Sequence, residues 1–207
     1  MRVFIFILIS QLLIGCSSGV YVSLPEKYEP TEEQPVGFLA GSLSATTVWP
    51  ASGEGLITTL YIRQRGDDAF LTVASNHEDT DFDSETLKGQ LFYLPLPAGE
   101  YELFSIGFKG SNGNKSIRSK SSEELGLVFT IAPGQVTYIG QFITSSLVAK
   151  SKLWNIEYPS GYGYITYSDA QQRDQPLLRE MHPELEQLTF TPVMLAETDV
   201  RLTSSRP

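Results

Sequence analysis

Apolar and polar residues alternate along most of the chain beyond residue 36, which is typical of β-strands that bury one face. Leu125, Leu127, Phe129 and Ile131, for example, fall on one side of a strand. Turn residues separate nine runs of this kind, which lie at 36–43, 56–65, 69–75, 90–96, 100–108, 125–132, 135–144, 152–158 and 162–167, and a further segment at 190–197 could return to a sheet edge. The pattern predicts a mainly β fold, an antiparallel β-sandwich of about eight or nine strands.

Two turns stand out in the middle of this pattern. In Leu96-Pro97-Ala98-Gly99 the proline presets φ at the second turn position, and the glycine ends a type I turn. In Pro133-Gly134 the glycine supplies the positive φ of a type II turn. Each turn predicts a tight connection between its flanking strands.

Both turns lie in stretches that resemble the paired Pro-Gly hairpins of carboxypeptidase-regulatory or transthyretin-like β-sandwiches, namely LPLPAGEYELFSIGF and FTIAPGQVTYIGQF. The resemblance covers Gln90 to Phe142 and implies a prealbumin-like or immunoglobulin-like sandwich. It includes no catalytic residues, so it implies a fold and no active site.

One helix is predicted near 168–182. Its buried side would be formed by residues at helical spacing, Ala170, Asp174, Leu177, Leu178 and Met181. Ser168 and Gln171 have the spacing of a capping box, and Pro176 predicts a kink or a late start near Asp174. Pro183 marks the end of the helix.

The first sixteen residues have the features of a bacterial secretion signal. Met1-Arg2 is followed by an apolar run, Val3 to Ile14, which at about 18 Å of helix is too short to cross a hydrocarbon core of about 30 Å. Leu13-Ile14-Gly15-Cys16 resembles the lipobox of bacterial lipoproteins and contains the one cysteine of the chain. Ordinary cleavage nearby and an uncleaved anchor are the alternatives.

The lipobox resemblance implies that residues 1–15 are removed and that Cys16 carries diacylglycerol and an acyl chain such as palmitate on its amine. Two or three such chains anchor a protein almost permanently, since each buried methylene contributes about 0.8 kcal/mol. Ser17, where an Asp would favour the inner membrane, implies an outer-membrane lipoprotein that faces the periplasm. No other cofactor is expected.

Residues 16–35 are expected to be the lipidated N-terminus and a tether, because Pro25, Pro30 and Pro35 prevent a long helix or a central strand. The alternative is that Gly19 to Leu24 packs on the domain as an edge strand. Residues 36–207 are expected to form one sandwich domain with the helix and a final strand.

Composition excludes some functions. With 24 acidic and 15 basic residues the chain has a net charge of -9, which argues against a nucleic-acid partner. No nucleophile-elbow, β-lactamase or zincin motif is present, and the two histidines, His77 and His182, are far apart in the sequence. Carboxylate pairs for glycoside hydrolysis are set by fold geometry, so an envelope hydrolase stays open.

An acidic run offers a candidate metal site. Its alternating carboxylates have the spacing of Ca²⁺ ligands, which would be Asp79, Asp81, Asp83 and Glu85. The run departs from an EF-hand, because Ser84 and Gln90 occupy positions six and twelve where Gly and Glu are required. A solvated acidic loop is the other interpretation.

A basic loop follows at 107–120. It lacks the adjacent Gly-Lys-Ser of a phosphate-binding loop and is expected to connect two strands. Its four cations form the one basic cluster of an acidic chain, and they could meet an anionic partner or a lipid headgroup: Lys109, Lys115, Arg118 and Lys120.

An aromatic platform is the third candidate. Aromatic residues concentrate around a Pro-Ser-Gly-Tyr-Gly turn, and they are Trp154, Tyr158, Tyr162, Tyr164 and Tyr167. Such rings can stack on sugars or anchor a protein partner, and they can equally form cross-strand structural pairs.

Two functions follow from these observations. The first is a non-enzymatic, lipid-anchored envelope protein whose domain binds another envelope component, a protein partner, as an assembly accessory. The second is a glycan-binding module that uses the Tyr158 to Tyr167 surface.

Overall fold

Inward-facing apolar residues of two sheets meet to form a β-sandwich, and one α-helix covers the outer face of the second sheet. The computed structural model describes residues 19–48, 52–76, 79–111, 116–121, 123–150, 153 and 157–204. It confirms a mainly β sandwich with one helix near the C-terminus.

The elements are β1 (Tyr21–Ser23), β2 (Val36–Thr46), β3 (Leu56–Gln64), β4 (Leu71–Ala74), β5 (Phe82–Asp83), β6 (Leu87–Pro97), β7 (Gly99–Ser111), β8 (Ser116–Lys120), β9 (Leu127–Ile131), β10 (Gln135–Lys150), β11 (Glu157–Ser168), α1 (Gln171–Met181), β12 (Thr189–Pro192) and β13 (Arg201–Ser204). The strands outnumber the prediction because β1, β5, β8 and β13 are only two to five residues long. Segments this short show too little alternation to be recognised in the sequence.

The first sheet has the order β1-β4-β3-β7-β8, and β9 also pairs with β7. The second has the order β13-β11-β10-β2-β6-β5, and β12 also pairs with β10. Most strand pairs are antiparallel, but β10 runs parallel to β2 and β12, so the second sheet is mixed. Between β2 and β10 the chain forms strands of both sheets, and β10 then runs in the same direction as its neighbour β2.

The main core lies between the sheets. Tyr101 and Leu103 are completely buried there, while Glu100 on the same strand is exposed, as the alternation predicts. Phe129 and Ile131 likewise face this core. Burial of this apolar surface is the main favourable contribution to folding, at about 25 cal/mol per Å².

Both Pro-Gly turns are tight, but they connect different sheets. Pro97-Ala98-Gly99 joins β6 of the second sheet to β7 of the first, and Pro133-Gly134 joins β9 of the first to β10 of the second. Gly134 has the predicted positive φ, +64°. The expected hairpins are therefore corners, since turn residues determine a change of direction and not the partner of the next strand.

The N-terminal segment packs on the sandwich. Strand β1 pairs with β4, and Tyr28 is buried with its hydroxyl donating to the Ala69 carbonyl and accepting from the Gln64 N–H, both at 2.8 Å. The edge-strand alternative for Gly19 to Leu24 is confirmed, and the predicted tether over 16–35 is wrong for this part. Prolines exclude a central strand but allow an edge strand.

Helix α1 forms a third layer on the second sheet. Leu178 is buried, and Leu177 and Met181 pack on an apolar cluster that includes Tyr93 and Phe190. The helical spacing in the sequence therefore identified the buried side of α1. In the described part of the chain, no helix has the length and apolar character needed to span a membrane.

The start of α1 differs from the prediction. The residue before the helix is Ala170, so the Ser168 and Gln171 capping box does not form. The Asp169 carboxylate instead accepts a hydrogen bond from the Gln171 N–H at 2.9 Å. Pro176 lies inside the helix, so a late start near Asp174 is also wrong.

A β-bulge in β10 prepares the surface on which α1 packs. The register of β10 against β2 shifts between Tyr138 and Gln141, and Gly140 in the bulge has a φ of +95°. A Cβ at Gly140 would meet the Tyr167 hydroxyl oxygen at 2.5 Å, so only glycine fits. The bulge places both Tyr138 and Gln141 on the face beneath the helix.

A buried carboxylate joins α1 to this face. Asp174 has 0% exposure and accepts hydrogen bonds from the hydroxyls of Ser42 (2.6 Å) and Tyr138 (2.7 Å). Arg173 forms an ion pair with it at 2.6 Å, and the Arg173 guanidinium lies 3.6 Å from the centroid of the Phe82 ring. The carboxylate therefore has the partners that a buried charge requires.

We expect Asp174→Ala to lower the free energy of unfolding by about 3 kcal/mol, because it leaves buried hydroxyls and a cation without their acceptor. Chemical denaturation measures this difference. Glu180→Ala, an exposed change on the same helix, is the matched control and should have little effect. Equal stability of the two variants would contradict the proposed coupling of helix and sheet.

Several tyrosines bury their hydroxyls, and burial raises the pKa of each of them: Tyr28, Tyr93, Tyr101, Tyr138 and Tyr167. The folded protein therefore keeps protons that the unfolded chain releases near pH 10. Stability should be complete below about pH 10 and should fall as the pH rises further. Denaturation at a series of alkaline pH values tests this, with tyrosinate absorbance as the second readout. Full ionisation of all tyrosines while the chain stays folded would contradict it.

Candidate binding surface

The outer face of the first sheet carries no helix in the described part of the chain. Residues that are directly paired across strands point to the same face. One such row crosses this sheet, and it consists of Tyr21, Ala74, Thr59, Gly107 and Lys120. The three middle residues are small, whereas the two at the ends are large. The row therefore forms a low floor between higher side chains.

The part of this floor from Thr59 to Lys120 belongs to a trough of about 740 Å³ over β3, β7 and β8, which we call the sheet trough. Gly107 is required in its floor because a Cβ there would lie 2.6 Å from the Ser119 carbonyl oxygen of the neighbouring strand. The close approach of β7 and β8 thus explains the glycine. The absence of a side chain at this position also gives the trough its depth.

One bank of the sheet trough is basic. Ile57, Lys109 and Arg118 lie side by side on three adjacent strands, in register with one another. Lys109, Arg118 and Lys120 are exposed. The structure therefore brings together three of the four cations of the predicted basic cluster. Lys115 lies outside the described residues.

The opposite bank is aromatic, where Tyr61 lines the trough and its ring neighbours Phe70 and Phe104 lie beside it. The ring centroids of Tyr61, Phe70 and Phe104 are 5.7 to 6.3 Å apart, within the range of favourable aromatic pairs. Phe70 is 45% exposed although it is a large apolar residue. The Lys120 ammonium lies 4.4 Å from the Tyr61 ring centroid and so connects the aromatic bank with the basic residues.

The cations of the sheet trough have no carboxylate partner among the described residues. Arg63, next to the aromatic bank, is different because it pairs with Glu102 at 2.5 Å and Glu124 at 2.9 Å. The hydrogen bond to Glu102 is the main reason why the pKa of Arg63 is raised. Positive charge is therefore compensated beside the trough and left uncompensated within it.

Recognition in the middle of the sheet trough must depend on side chains. Strand β3 pairs with β4 on one side and with β7 on the other, so its backbone groups are used within the sheet. The trough offers ammonium and guanidinium groups, a tyrosine ring and the hydroxyl of Thr59. This arrangement suits a ligand that carries negative charge and a ring or hydroxyl groups.

The acidic run lies at the edge of the second sheet. The Asp81 carboxylate accepts a hydrogen bond from the Leu91 N–H at 2.6 Å, and Asp83 belongs to β5. Asp79 and Glu85 are exposed. Within the described ranges, no three His, Cys, Asp or Glu residues are placed to hold a metal ion together. Asp81 thus has a structural role in closing this edge.

The predicted aromatic platform is only partly described. Tyr167 is 0% exposed, packs 5.6 Å from the Phe142 ring and accepts a hydrogen bond from the Leu195 N–H. It is therefore a core residue and cannot belong to an exposed platform, because the alternation of β11 turns it inward. Tyr164 is half-buried, and the Arg201 guanidinium lies over its ring, 4.2 Å from the ring centroid.

The remaining predicted site residues lie outside what the structure describes. Trp154 and Cys16 are outside the described residues, as are the side chains of Tyr158 and Tyr162.

His182 follows α1, where its backbone N–H donates to the Leu178 carbonyl at 2.8 Å.

The aromatic bank could not be identified from the sequence. The outward alternation of Thr59, Tyr61 and Arg63 was a usable signal, since it leaves an aromatic residue on the solvent side of a strand. Its neighbours are Phe70, which directly precedes β4, and Phe104 of β7. Only the pairing of the strands brings the three rings together.

Comparisons with known proteins contribute little. No protein-family model and no curated protein matches the chain. One solved structure, a leucine-rich repeat protein from Bacteroides thetaiotaomicron, is similar over 54% of this chain and 14% of its own length. The identity is 15% and the TM-score 0.33, so this likeness supports no conclusion about fold or function.

Proposed function

We propose that the protein is a lipid-anchored protein of the bacterial cell envelope, held in the outer membrane through Cys16 and facing the periplasm. Its sandwich domain binds another envelope component as a binding or assembly accessory and not as an enzyme. The observation that carries the proposal is the sheet trough with its uncompensated cations.

The two outer faces of the sandwich support this assignment by their difference. The second sheet is covered by α1, which contributes a fully partnered buried carboxylate and an apolar cluster. The first sheet presents exposed cations and the exposed ring of Phe70. Three exposed cations lie together on this face of a chain with a net charge of -9, and such a local positive patch attracts anionic partners.

The packing of β1 adds a constraint on the anchor. Cys16 and Tyr21 are five residues apart, and an extended chain spans at most about 18 Å over that distance. A lipid on Cys16 would therefore hold the β1 edge of the first sheet close to the membrane surface. The long tether expected from the prolines is not needed, and the sheet trough would work near the bilayer.

The anchor is tested by Cys16→Ser in the full-length protein. We expect the variant to lose lipidation and to leave its normal membrane fraction, because the sulfur of Cys16 is the atom that would receive the lipid. Cell fractionation and intact mass measure both properties. Ser17→Ala is the matched control and should behave as the native chain. Unchanged fractionation and mass of the Cys16→Ser protein would contradict the lipoprotein assignment.

The binding role is tested by amine crosslinking in cells that contain the native protein. We expect Lys109 and Lys120 to give crosslinks to a stoichiometric neighbour, because they line the sheet trough. Lys27 and Lys88, which pair with Asp67 and Glu54 outside the trough, are internal controls. Crosslinks only within the chain, or to porins in proportion to their abundance, would argue against an accessory role.

A further inference from the structure

We infer that the sheet trough binds an acidic polysaccharide, a sugar chain that carries carboxylate or phosphate groups. The inference rests on the proposed function and gives it a ligand class. It also places glycan recognition on the first sheet instead of the Tyr158 to Tyr167 surface, where Tyr167 is buried in the core.

The floor has the shape for an elongated ligand. The row from Tyr21 to Lys120 crosses five strands, and at the usual spacing between strands it spans on the order of 19 Å, of which the part from Thr59 to Lys120 lies in the sheet trough. Ala74, Thr59 and Gly107 keep its middle low. A chain of sugar units can lie along such a floor, whereas a single small anion would occupy only one end.

The banks supply the two kinds of contact that an acidic sugar needs. Lys109 and Arg118 project from adjacent strands at directly paired positions, and Lys120 stands at the end of the row. These cations can donate charge-assisted hydrogen bonds to successive acidic groups. The ring of Tyr61, which lines the trough, and the exposed ring of Phe70 beside it can pack against the apolar face of a sugar ring.

The same geometry disfavours two other occupants. A peptide added as a strand would have to pair with the outer side of β8, beside the floor and not in it, because β3 and β7 are paired on both sides along the trough. A bilayer surface would meet the banks and leave the low floor at Gly107 without contact. Charge complementarity alone does not distinguish an acidic polysaccharide from an acidic peptide or an anionic bilayer. The shape of the floor favours a flexible chain that can enter it.

The test uses the full-length lipidated protein in detergent and polygalacturonate as the probe, with neutral dextran as the uncharged control. Affinity electrophoresis should show retardation by polygalacturonate but not by dextran, and added salt should weaken it. Lys109→Gln combined with Lys120→Gln should reduce the affinity by about tenfold or more. The matched control is Lys27→Gln combined with Lys88→Gln, which removes the same charge elsewhere and should bind normally.

A second measurement does not depend on the variants. Polygalacturonate should protect Lys109 and Lys120 of the native protein from acetylation, relative to Lys88. Absence of retardation and protection would overturn the inference, as would equal loss of binding in the two double variants. A protein neighbour crosslinked to Lys109 without polygalacturonate binding would keep the proposed function and reject the sugar ligand.

A separate experiment tests whether the sheet trough binds anionic lipid headgroups. The lipidated protein is inserted into phosphatidylcholine vesicles with or without phosphatidylglycerol, so that both vesicles hold the anchor. Protection of Lys109 and Lys120 only in the anionic vesicles, without protection by polygalacturonate, would overturn the inference in favour of a membrane surface. The reverse pattern would support the polysaccharide.

Discussion

The buried Asp174 carboxylate determines how the layers of this protein are arranged. A charge with no solvent exposure is stable in a folded chain only where hydrogen-bond donors surround it. Those donors, Ser42 and Tyr138, come from strands β2 and β10, which run parallel at the centre of the second sheet. The helix is therefore fixed on that sheet and in one position. The first sheet is left as the only broad sheet face, among the described residues, without a covering helix.

The centre of the second sheet is correspondingly buried on both faces. Leu39 and Phe142 face the main core, whereas Ala40 and Tyr138 face the helix. The bulge at Gly140 is what allows Tyr138 and Gln141 to share the helix side of β10. The first sheet has one buried face, so its solvent side can carry residues chosen for binding without loss of core packing.

Local patterns predicted much of the fold, and long-range pairing explains what they missed. Alternation predicted that Tyr101 and Leu103 are buried, and helical spacing predicted the buried side of α1, including the polar Asp174. The Pro-Gly turns were placed correctly but joined different sheets. Three cations of the sheet trough could be grouped from the sequence because they lie in one short segment, 109–120. The sequence could not add Tyr61 and Phe70, whose position beside them depends on the pairing of distant strands.

The short strand β1 also protects the molecule from self-association. It covers one side of β4, where the backbone groups of Leu71–Ala74 would otherwise form an open edge able to pair with another chain. At three residues, β1 is itself too short to act as a good template. A soluble form cut at residue 36, the boundary suggested by the prolines, would uncover β4 and remove Tyr28 from the core. Such a form would be prone to aggregation for a reason unrelated to the loss of its lipid.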